Sequence, residues 1–219
     1  MTKTVIIING RGGVGKDTLC EYVSKTHRVR NVSTITPIKD IARQFGWKGE
    51  KTDRDRKFLS DLKMAFAAYN DLPTEYLAEE YRKFMESDDE ILFAHIREGA
   101  EIEKFKKRVA NCGRTCLAAG SSPDEDAAGR AQPDKGCAPG QYEGRDLYNE
   151  KDGARVVTLL VRRAQVTAAF GNTSDDEVEN YDYDYYYLNC KPLEQAGPDF
   201  VAFLENVILQ EVRYAGIGA

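Results

Sequence analysis

Apolar runs alternate with helically spaced segments along the chain. Residues 5–9, 91–96 and 156–161 form short, mainly apolar runs, as in strands buried on both faces. Further strands are predicted at 29–35 and 181–188, and helices at 16–25, 37–45, 53–70, 74–85, 100–110 and 200–212. Strands that alternate with helices predict an α/β fold with a mainly parallel sheet that is covered on both faces.

The segment 53–70 carries the clearest helical pattern. Apolar residues recur at spacings of three and four, at Phe58, Leu59, Leu62, Ala65, Phe66 and Tyr69. This spacing predicts an amphipathic helix with one packed face. Cationic residues in its first turns, Arg54, Arg56 and Lys57, are either a solvated surface or ligands for a phosphate.

Residues 111–154 break the alternation. They hold 7 of the 18 glycines, 3 of the 7 prolines and 3 of the 5 cysteines. With only four large apolar residues, this stretch can bury little surface against its ordering entropy. We therefore expect a single domain over residues 1–219 with a flexible insertion at 111–154. The spacing of Cys112, Cys116 and Cys137 favours free thiols over a zinc site.

Composition narrows the class of protein. The 219 residues have a net charge of −5 and a pI near 5.3, which argues against a dedicated nucleic-acid binder. The sequence contains no apolar run near the roughly 20 residues of a membrane span. Five cysteines, an odd number, favour reduced thiols over a disulfide framework. These features predict a soluble, cytoplasmic protein without membrane partners; they do not indicate its oligomeric state.

A glycine-rich motif directly follows the first strand. Its residues are Gly10, Arg11, Gly12, Gly13, Val14, Gly15 and Lys16, and they match G-x-x-x-x-G-K between a strand and a helix. Backbone N–H groups of such a loop point at phosphate oxygens, the helix N-terminus adds positive potential, and the lysine can bridge the β- and γ-phosphates. The motif predicts an ATP site.

The two residues after the lysine depart from the usual pattern. Asp17 stands where Ser or Thr normally holds Mg²⁺, and Thr18 supplies a hydroxyl one position late. Asp17 could bind the metal directly or through water, or could favour the helix N-terminus. Both residues are therefore candidate magnesium ligands.

Arginines follow two of the predicted strands. Arg97 comes after the run 91–96, and Arg162 and Arg163 come after 156–161. Ligands of open α/β sheets bind at the carboxyl ends of the strands. Arginines at this edge, beside a phosphate loop, can neutralise charge on a transferring phosphoryl group.

Taken together, these motifs resemble the phage-type deoxynucleoside monophosphate kinases. Three segments carry the resemblance: Gly15-Lys16-Asp17-Thr18, residues 96–102, and the polar loop and tyrosine-rich strand at 172–189. The resemblance implies a three-layer P-loop kinase fold that uses ATP, Mg²⁺ and a nucleoside monophosphate acceptor. On this resemblance Arg97 falls on the arginine that binds the acceptor phosphate or acts in catalysis, and Arg162 and Arg163 fall on the lid. We therefore expect Lys16, Arg97 and Arg162 to be catalytic, and residues 10–18 and Arg163 to bind the nucleotide.

The resemblance also implies which segments of the chain cover the acceptor and which form a lid. Helices within 53–85 would cover the acceptor, and residues 162–180 would form a lid. The family often has an acidic residue two positions before the arginine, where this chain has His95. We interpret His95 as a packed strand-end residue and the acidic run Asp175, Asp176, Glu177 and Glu179 as a solvated loop. Tyr183, Tyr185 and Tyr187 are expected to share one face of a strand.

Two alternatives remain open at the level of sequence. One is a kinase of another phosphorylated metabolite, of the dephospho-coenzyme A or phosphomevalonate type. The other is a ParA-like regulatory ATPase, whose motif carries a lysine where Arg11 stands and a hydroxyl where Asp17 stands.

Overall fold

The computed structural model describes residues 3–50, 52–115, 153–163 and 177–209. The strands are β1 Thr4–Asn9, β2 Val29–Ser33, β3 Ile91–His95, β4 Arg155–Arg162 and β5 Tyr185–Leu188. The helices are α1 Lys16–Val23, α2 Thr36–Gln44, α3 Asp53–Asn70, α4 Leu72–Glu86, α5 Gly99–Thr115 and α6 Leu193–Phe203. A 3₁₀ turn, Glu177–Asn180, precedes β5, and a π turn, Leu204–Ile208, follows α6.

The five strands form one sheet in the order β2-β3-β1-β4-β5, and every pair is parallel. The strand β1 is central and is buried along its whole length. Residues of α1 and α6 pack on one face of the sheet, including Leu19, Val23 and Phe200. Residues of α4 and α5 pack on the other, including Phe84 and Phe105. The three-layer α/β arrangement predicted from the sequence is confirmed.

Several element boundaries differ from the predicted ones. The helix α1 ends at Val23 rather than 25, and β2 ends at Ser33 rather than 35. The helix α5 continues to Thr115, so the first five residues of the predicted insertion are helical. Residues 116–152 lie outside the described part of the chain, and the prediction of a flexible insertion stays a prediction there.

The strand β5 is shorter than predicted because side chains replace its first ladder bonds. The Asp184 carboxylate accepts hydrogen bonds from the N–H (2.7 Å) and the hydroxyl (2.8 Å) of Thr158 in β4. Pairing of the two backbones therefore begins only at Tyr185. Tyr183 precedes the strand and packs on the α4–α5 face, whereas Tyr187 packs on the α1–α6 face. The prediction that these tyrosines share one face is wrong for Tyr183.

The helix α6 begins at Leu193, seven residues before the predicted start at 200. Pro198 lies inside this helix. Because proline removes a helical N–H, its presence in the sequence argues against a helix there, and the predicted start is therefore too late. The helix ends at Phe203 and passes into the π turn, and residues 210–212 lie outside the described part.

The bounds of α3 agree with the prediction, and its first turn is closed by a capping box between Thr52 and Asp55. The predicted packed face is covered only in part: Leu59, Leu62 and Phe66 are half-buried, and no residue of α3 is fully buried in the structure as described. Phe58, Met64 and Tyr69 are 45%, 60% and 85% exposed. None of the helices that the structure describes is long and apolar enough to cross a membrane.

Candidate active site

The glycine-rich motif forms the connection between β1 and α1, at the carboxyl edge of the central strand. Two of its glycines are required by the space available. A side chain at Gly10 would overlap the carbonyl oxygen of Val161, and a Cβ at Gly15 would lie 2.9 Å from Asn189 Nδ2. Gly15 also has a φ of 91°, which L-residues rarely adopt. The sequence therefore folds here as the phosphate loop that its spacing predicts.

Lys16 is the first residue of α1, and its ammonium lies over the loop. Its Nζ donates to the carbonyl oxygens of Gly10 (2.5 Å) and Arg11 (3.4 Å). Asn189 stabilises the loop, because its Nδ2 donates to the carbonyl oxygen of Val14 at 2.8 Å. An ammonium held against a glycine-rich loop at a helix N-terminus suits the β- and γ-phosphates of a nucleotide.

Asp17 projects from the first turn of α1 and is 90% exposed. Its Oδ1 lies 3.8 Å from Nδ1 of His95, because the β1–β3 register places His95 opposite Ile8 at the same sheet edge. Burial lowers the pKa of His95 to about 4, with Lys16 acting in the same direction and Asp17 against it. His95 is therefore a neutral strand-end imidazole near neutral pH, as interpreted from the sequence.

The oxygen donors available for a metal are few. Over the described residues, no group of three or more His, Cys, Asp and Glu side chains is arranged to hold a metal ion. Mg²⁺ in nucleotide sites takes only one or two protein oxygens and completes its shell with phosphates and water. Asp17 and Thr18, at the end of the loop, fit that limited role.

Two of the predicted arginines flank the loop. Arg97 follows β3 and Arg162 ends β4, and these are the two neighbours of β1 in the sheet. Arg97 is exposed at this edge. Arg162 is held by Glu179, whose Oε2 accepts from Nε (2.9 Å) and from Nη2 (2.5 Å).

Glu179 also approaches the phosphate loop, since its Oε1 lies 4.0 Å from Nε of Arg11. Its carboxylate therefore joins an arginine of the loop to an arginine at the end of β4. Glu179 is exposed, as predicted, but its carboxylate is ion-paired rather than free in solvent; Asp175 and Asp176 lie outside the described residues. Opposite charges placed between distant segments are not visible in the sequence, so this contact could not be predicted.

A small cavity of about 100 Å³ adjoins the loop between α1 and α6. It is lined by Gly15, Thr18, Leu19, Tyr22, Arg163, Asn189, Lys191, Ala196 and Gly197. The structure thus brings Thr18 of the motif together with Arg163. Asn189 is a lining residue that sequence reasoning missed as a loop support.

On the other side of the loop, Lys63 of α3 reaches the start of α5. Its Nζ donates to the carboxylates of Glu98 (2.7 Å) and Glu101 (2.8 Å). Burial, together with the neighbouring Glu98, raises the pKa of Glu101 to about 7. Burial alone would also raise the pKa of Glu98. The hydrogen bond from Glu101 and the charge of Lys63 outweigh the effect of burial, so the pKa of Glu98 is lowered.

Two further cations of α3, Arg56 and Lys57, pair on the helix surface. Arg56 contacts Asp53 (3.4 Å) and Lys57 contacts Asp61 (2.8 Å), and all four side chains are at least half exposed. This is the solvated surface that the sequence allowed as one of two readings. Of the cysteines, Cys20 is buried and Cys190 exposed, both as free thiols; the side chains of Cys112, Cys116 and Cys137 lie outside the described part.

No protein-family model and no curated protein sequence matches the chain. Among solved structures, shikimate kinase from Aquifex aeolicus vf5 matches with a TM-score of 0.44 and 10% identity, over 94% of this chain and 99% of that one.

A gluconokinase from Sinorhizobium meliloti 1021 matches with a TM-score of 0.41 and 12% identity, over 99% of this chain and 98% of that one. A sugar kinase from Janibacter sp. HTCC2649 matches with a TM-score of 0.41 and 11% identity, over 94% and 96%. The strand order and the loop between β1 and α1 identify the fold itself as an α/β P-loop fold.

Proposed function

We propose that the protein transfers the γ-phosphoryl group of ATP to a small phosphorylated acceptor, a nucleoside or deoxynucleoside monophosphate. The observation that carries the proposal is the placement of the loop at residues 10–18 between Arg97 and Arg162, on the two strands that neighbour β1. Phosphoryl transfer needs little covalent chemistry from a protein, and is catalysed by positioning and by neutralising charge. This edge of the sheet supplies both.

In this proposal the donor nucleotide binds at the loop and beside the adjoining cavity. Backbone N–H groups and Lys16 would bind the β- and γ-phosphates, and Arg163 at the cavity would meet the nucleoside half of ATP. When bound, Mg²⁺ would neutralise phosphate charge, with Asp17 and Thr18 as its protein oxygens. Arg97 and Arg162 would bind the transferring group from either side.

The acceptor has more room on the side of Arg97. On this side α3 has no fully buried residue in the structure as described, and its Lys63 contacts Glu98 and Glu101 after β3. The guanidinium of Arg97 would bind two oxygens of an acceptor monophosphate through a pair of parallel hydrogen bonds. The nucleoside character of the acceptor rests on the resemblance of the motifs.

The test is a product assay with ATP, Mg²⁺ and a panel of acceptors. The panel contains ribo- and deoxyribonucleoside monophosphates, other phosphorylated metabolites, and unphosphorylated sugars and hydroxy acids. We expect ADP to form only when an acceptor is present, with no release of inorganic phosphate. ADP and phosphate in equal amounts without any acceptor would instead identify a regulatory ATPase.

Two lysine variants control the assay. Lys16→Ala should abolish transfer while the protein keeps its fold, because the lysine contacts the loop and packs in no core. Lys25→Ala removes the same charge two residues beyond α1, where the ammonium lies 3.8 Å from the centre of the Tyr22 ring, and should leave turnover unchanged. Near-normal turnover of Lys16→Ala would refute the proposed function.

A further inference from the structure

A fully buried carboxamide lies at the start of the phosphate loop. Asn9 ends β1, and its side chain is 0% exposed. Its Oδ1 accepts the N–H of Gly10 at 2.8 Å, and its Nδ2 donates to the carbonyl oxygen of Arg97 and to the hydroxyl of Tyr183, both at 2.8 Å. Because a backbone carbonyl only accepts and a backbone N–H only donates, these contacts fix which end of the amide is nitrogen.

Tyr183 extends this set of bonds to a third segment. Its hydroxyl accepts from Asn9 and donates to the carbonyl oxygen of Val178 at 3.0 Å. Val178 is 0% exposed and lies in the 3₁₀ turn that also carries Glu179. Burial raises the pKa of Tyr183 to about 12, so the phenol keeps the proton that it donates.

Two side chains thus join three backbone segments: the first residue of the phosphate loop, the connection that carries Arg97, and the turn that holds Arg162 through Glu179. Both N–H groups of the Asn9 amide are used, and the bonds are buried. A buried polar group stays favourable only while its partners are in place. The bonds therefore resist any shift of Arg97 relative to the loop.

We propose that Asn9 and Tyr183 are positioning residues, which hold the backbone of Arg97 in register with the phosphate loop. The proposal rests on the proposed phosphoryl transfer, in which Arg97 meets the transferring group. A displacement of about 1 Å between catalytic group and substrate can cost on the order of 10²-fold in rate. The sequence offered one signal, a polar residue that ends an otherwise apolar run beside the loop.

The test compares two Tyr→Phe variants. Tyr183→Phe removes the hydroxyl from the network. Tyr187→Phe is its matched control, because Tyr187 donates to Asp199 at 2.8 Å on the opposite face of the sheet. We expect Tyr183→Phe to lower kcat roughly tenfold, with the KM for ATP changed less than about twofold since the loop glycines and Lys16 remain. Tyr187→Phe should lower the melting temperature only.

A double variant distinguishes positioning from general destabilisation. If Tyr183 acts through Arg97, Tyr183→Phe combined with Arg97→Lys should be about as slow as Arg97→Lys alone, because the positioned group is already lost. Rate losses that multiply, or an unchanged kcat in folded Tyr183→Phe, would overturn the proposal. Asn9→Asp removes both donors at equal size and should lower kcat further than Tyr183→Phe.

Amide hydrogen exchange gives a readout that needs no turnover. Exchange in the peptides that cover residues 9–12 and 96–99 should be faster in Tyr183→Phe than in Tyr187→Phe. If the wild-type protein makes no acceptor-dependent ADP, the proposed function fails, while exchange still decides whether the network holds these segments. Equal exchange in the two variants would overturn the positioning role by itself.

Discussion

The two sides of the phosphate loop are built differently. On the α1–α6 side, Leu19, Val23, Ala196 and Phe200 are at most 3% exposed, and Gly197 lies against the ring of Tyr22. On the α3 side, an 18-residue helix buries none of its residues in the structure as described. Its inward contact with the site is Lys63, which binds two carboxylates of the β3–α5 region.

The difference separates a closely packed half of the site from a half that is only partly packed. Close packing fixes α1, and with it the loop and the cavity beside it, before any ligand binds. A helix whose apolar side chains are only half-buried gains less from burial than α1 does, so ion pairs such as those of Lys63 contribute a larger share to its position. We therefore expect changes on the α1–α6 side to affect stability, and changes near Arg97 to affect turnover.

The largest expected effect comes from Arg97→Lys. Lysine keeps the charge but loses the planar, two-pronged donor that matches phosphate oxygens. We expect kcat to fall roughly 10²- to 10³-fold, the loss typical of one preorganised charge donor, while ATP binding on the packed side is unchanged. Steady-state kinetics with each substrate varied in turn measures both.

The control is Arg82→Lys, which changes a surface arginine that pairs with Glu79 of its own helix. A rise in the acceptor KM with kcat kept would assign Arg97 to ground-state binding of the acceptor. Unchanged kinetics in both parameters would contradict a site role for Arg97 and would break the functional half of the comparison.

The second prediction tests the packing of the α1–α6 side with Gly197→Ala. In a helix this change ordinarily stabilises a protein by about 0.5–1 kcal/mol. Here a methyl group would overlap the ring of Tyr22, and overpacking of this kind costs about 1–3 kcal/mol. We expect the free energy of unfolding to fall, as measured by denaturant titration.

Tyr22→Ala supplies the matched background, because it removes the ring that the new methyl would meet. The loss caused by Gly197→Ala should shrink when both changes are combined. An equal loss of unfolding free energy in both backgrounds would show that the added methyl does not clash with Tyr22. The two sides of the loop would then differ in packing less than their burial indicates.

What the sequence could predict follows from how local each feature is. The phosphate loop is a contiguous pattern, and a strand such as 91–96 is a contiguous apolar run, so both were visible. The three-layer fold followed from their alternation. The apolar stripe of α3 was equally visible, but periodicity shows only which residues share a face, and Tyr69 is exposed because no described element covers it.

The features that were missed join residues far apart in the chain. The Asn9–Tyr183 bond spans 174 positions and the Lys63–Glu101 contact spans 38. Each needs the sheet order and the registers before its partners can be named. The late start of β5 could not be predicted for a related reason. The Asp184 carboxylate accepts the N–H of Thr158 in β4, and this contact is not visible until the two strands are paired.

The third prediction uses pH to test the charged contact of α3. The pKa of Glu101 is raised from 4.5 to about 7 in the folded protein. Between these values the folded state binds more protons than the unfolded state, so this group makes the wild-type protein less stable as pH rises. Glu101→Gln cannot ionise, and its amide can still donate to Glu98 as the protonated acid does.

The melting temperature of Glu101→Gln minus that of the wild type should therefore increase by roughly 2–5 °C as the pH is raised from 5 to 8. Most of this increase should occur below pH 7. Glu79→Gln, on the surface of α4, is the control. A difference between Glu101→Gln and wild type that does not vary with pH would show that Lys63 compensates the buried carboxylate fully.

The smallest expected effect is on the outer surface of α3. Tyr69 in α3 is 85% exposed and Tyr81 in α4 is 3% exposed, so the same substitution can be made on neighbouring helices. Tyr81→Ser should cost about 3–5 kcal/mol, as large-to-small changes in a core do. Tyr69→Ser should change the free energy of unfolding by less than about 0.5 kcal/mol, since it removes surface that water already reaches. Denaturant titration of both variants measures the pair. A loss above about 1 kcal/mol for Tyr69→Ser would mean that this side of α3 is covered in solution, and the contrast between a packed half and an open half of the site would no longer hold.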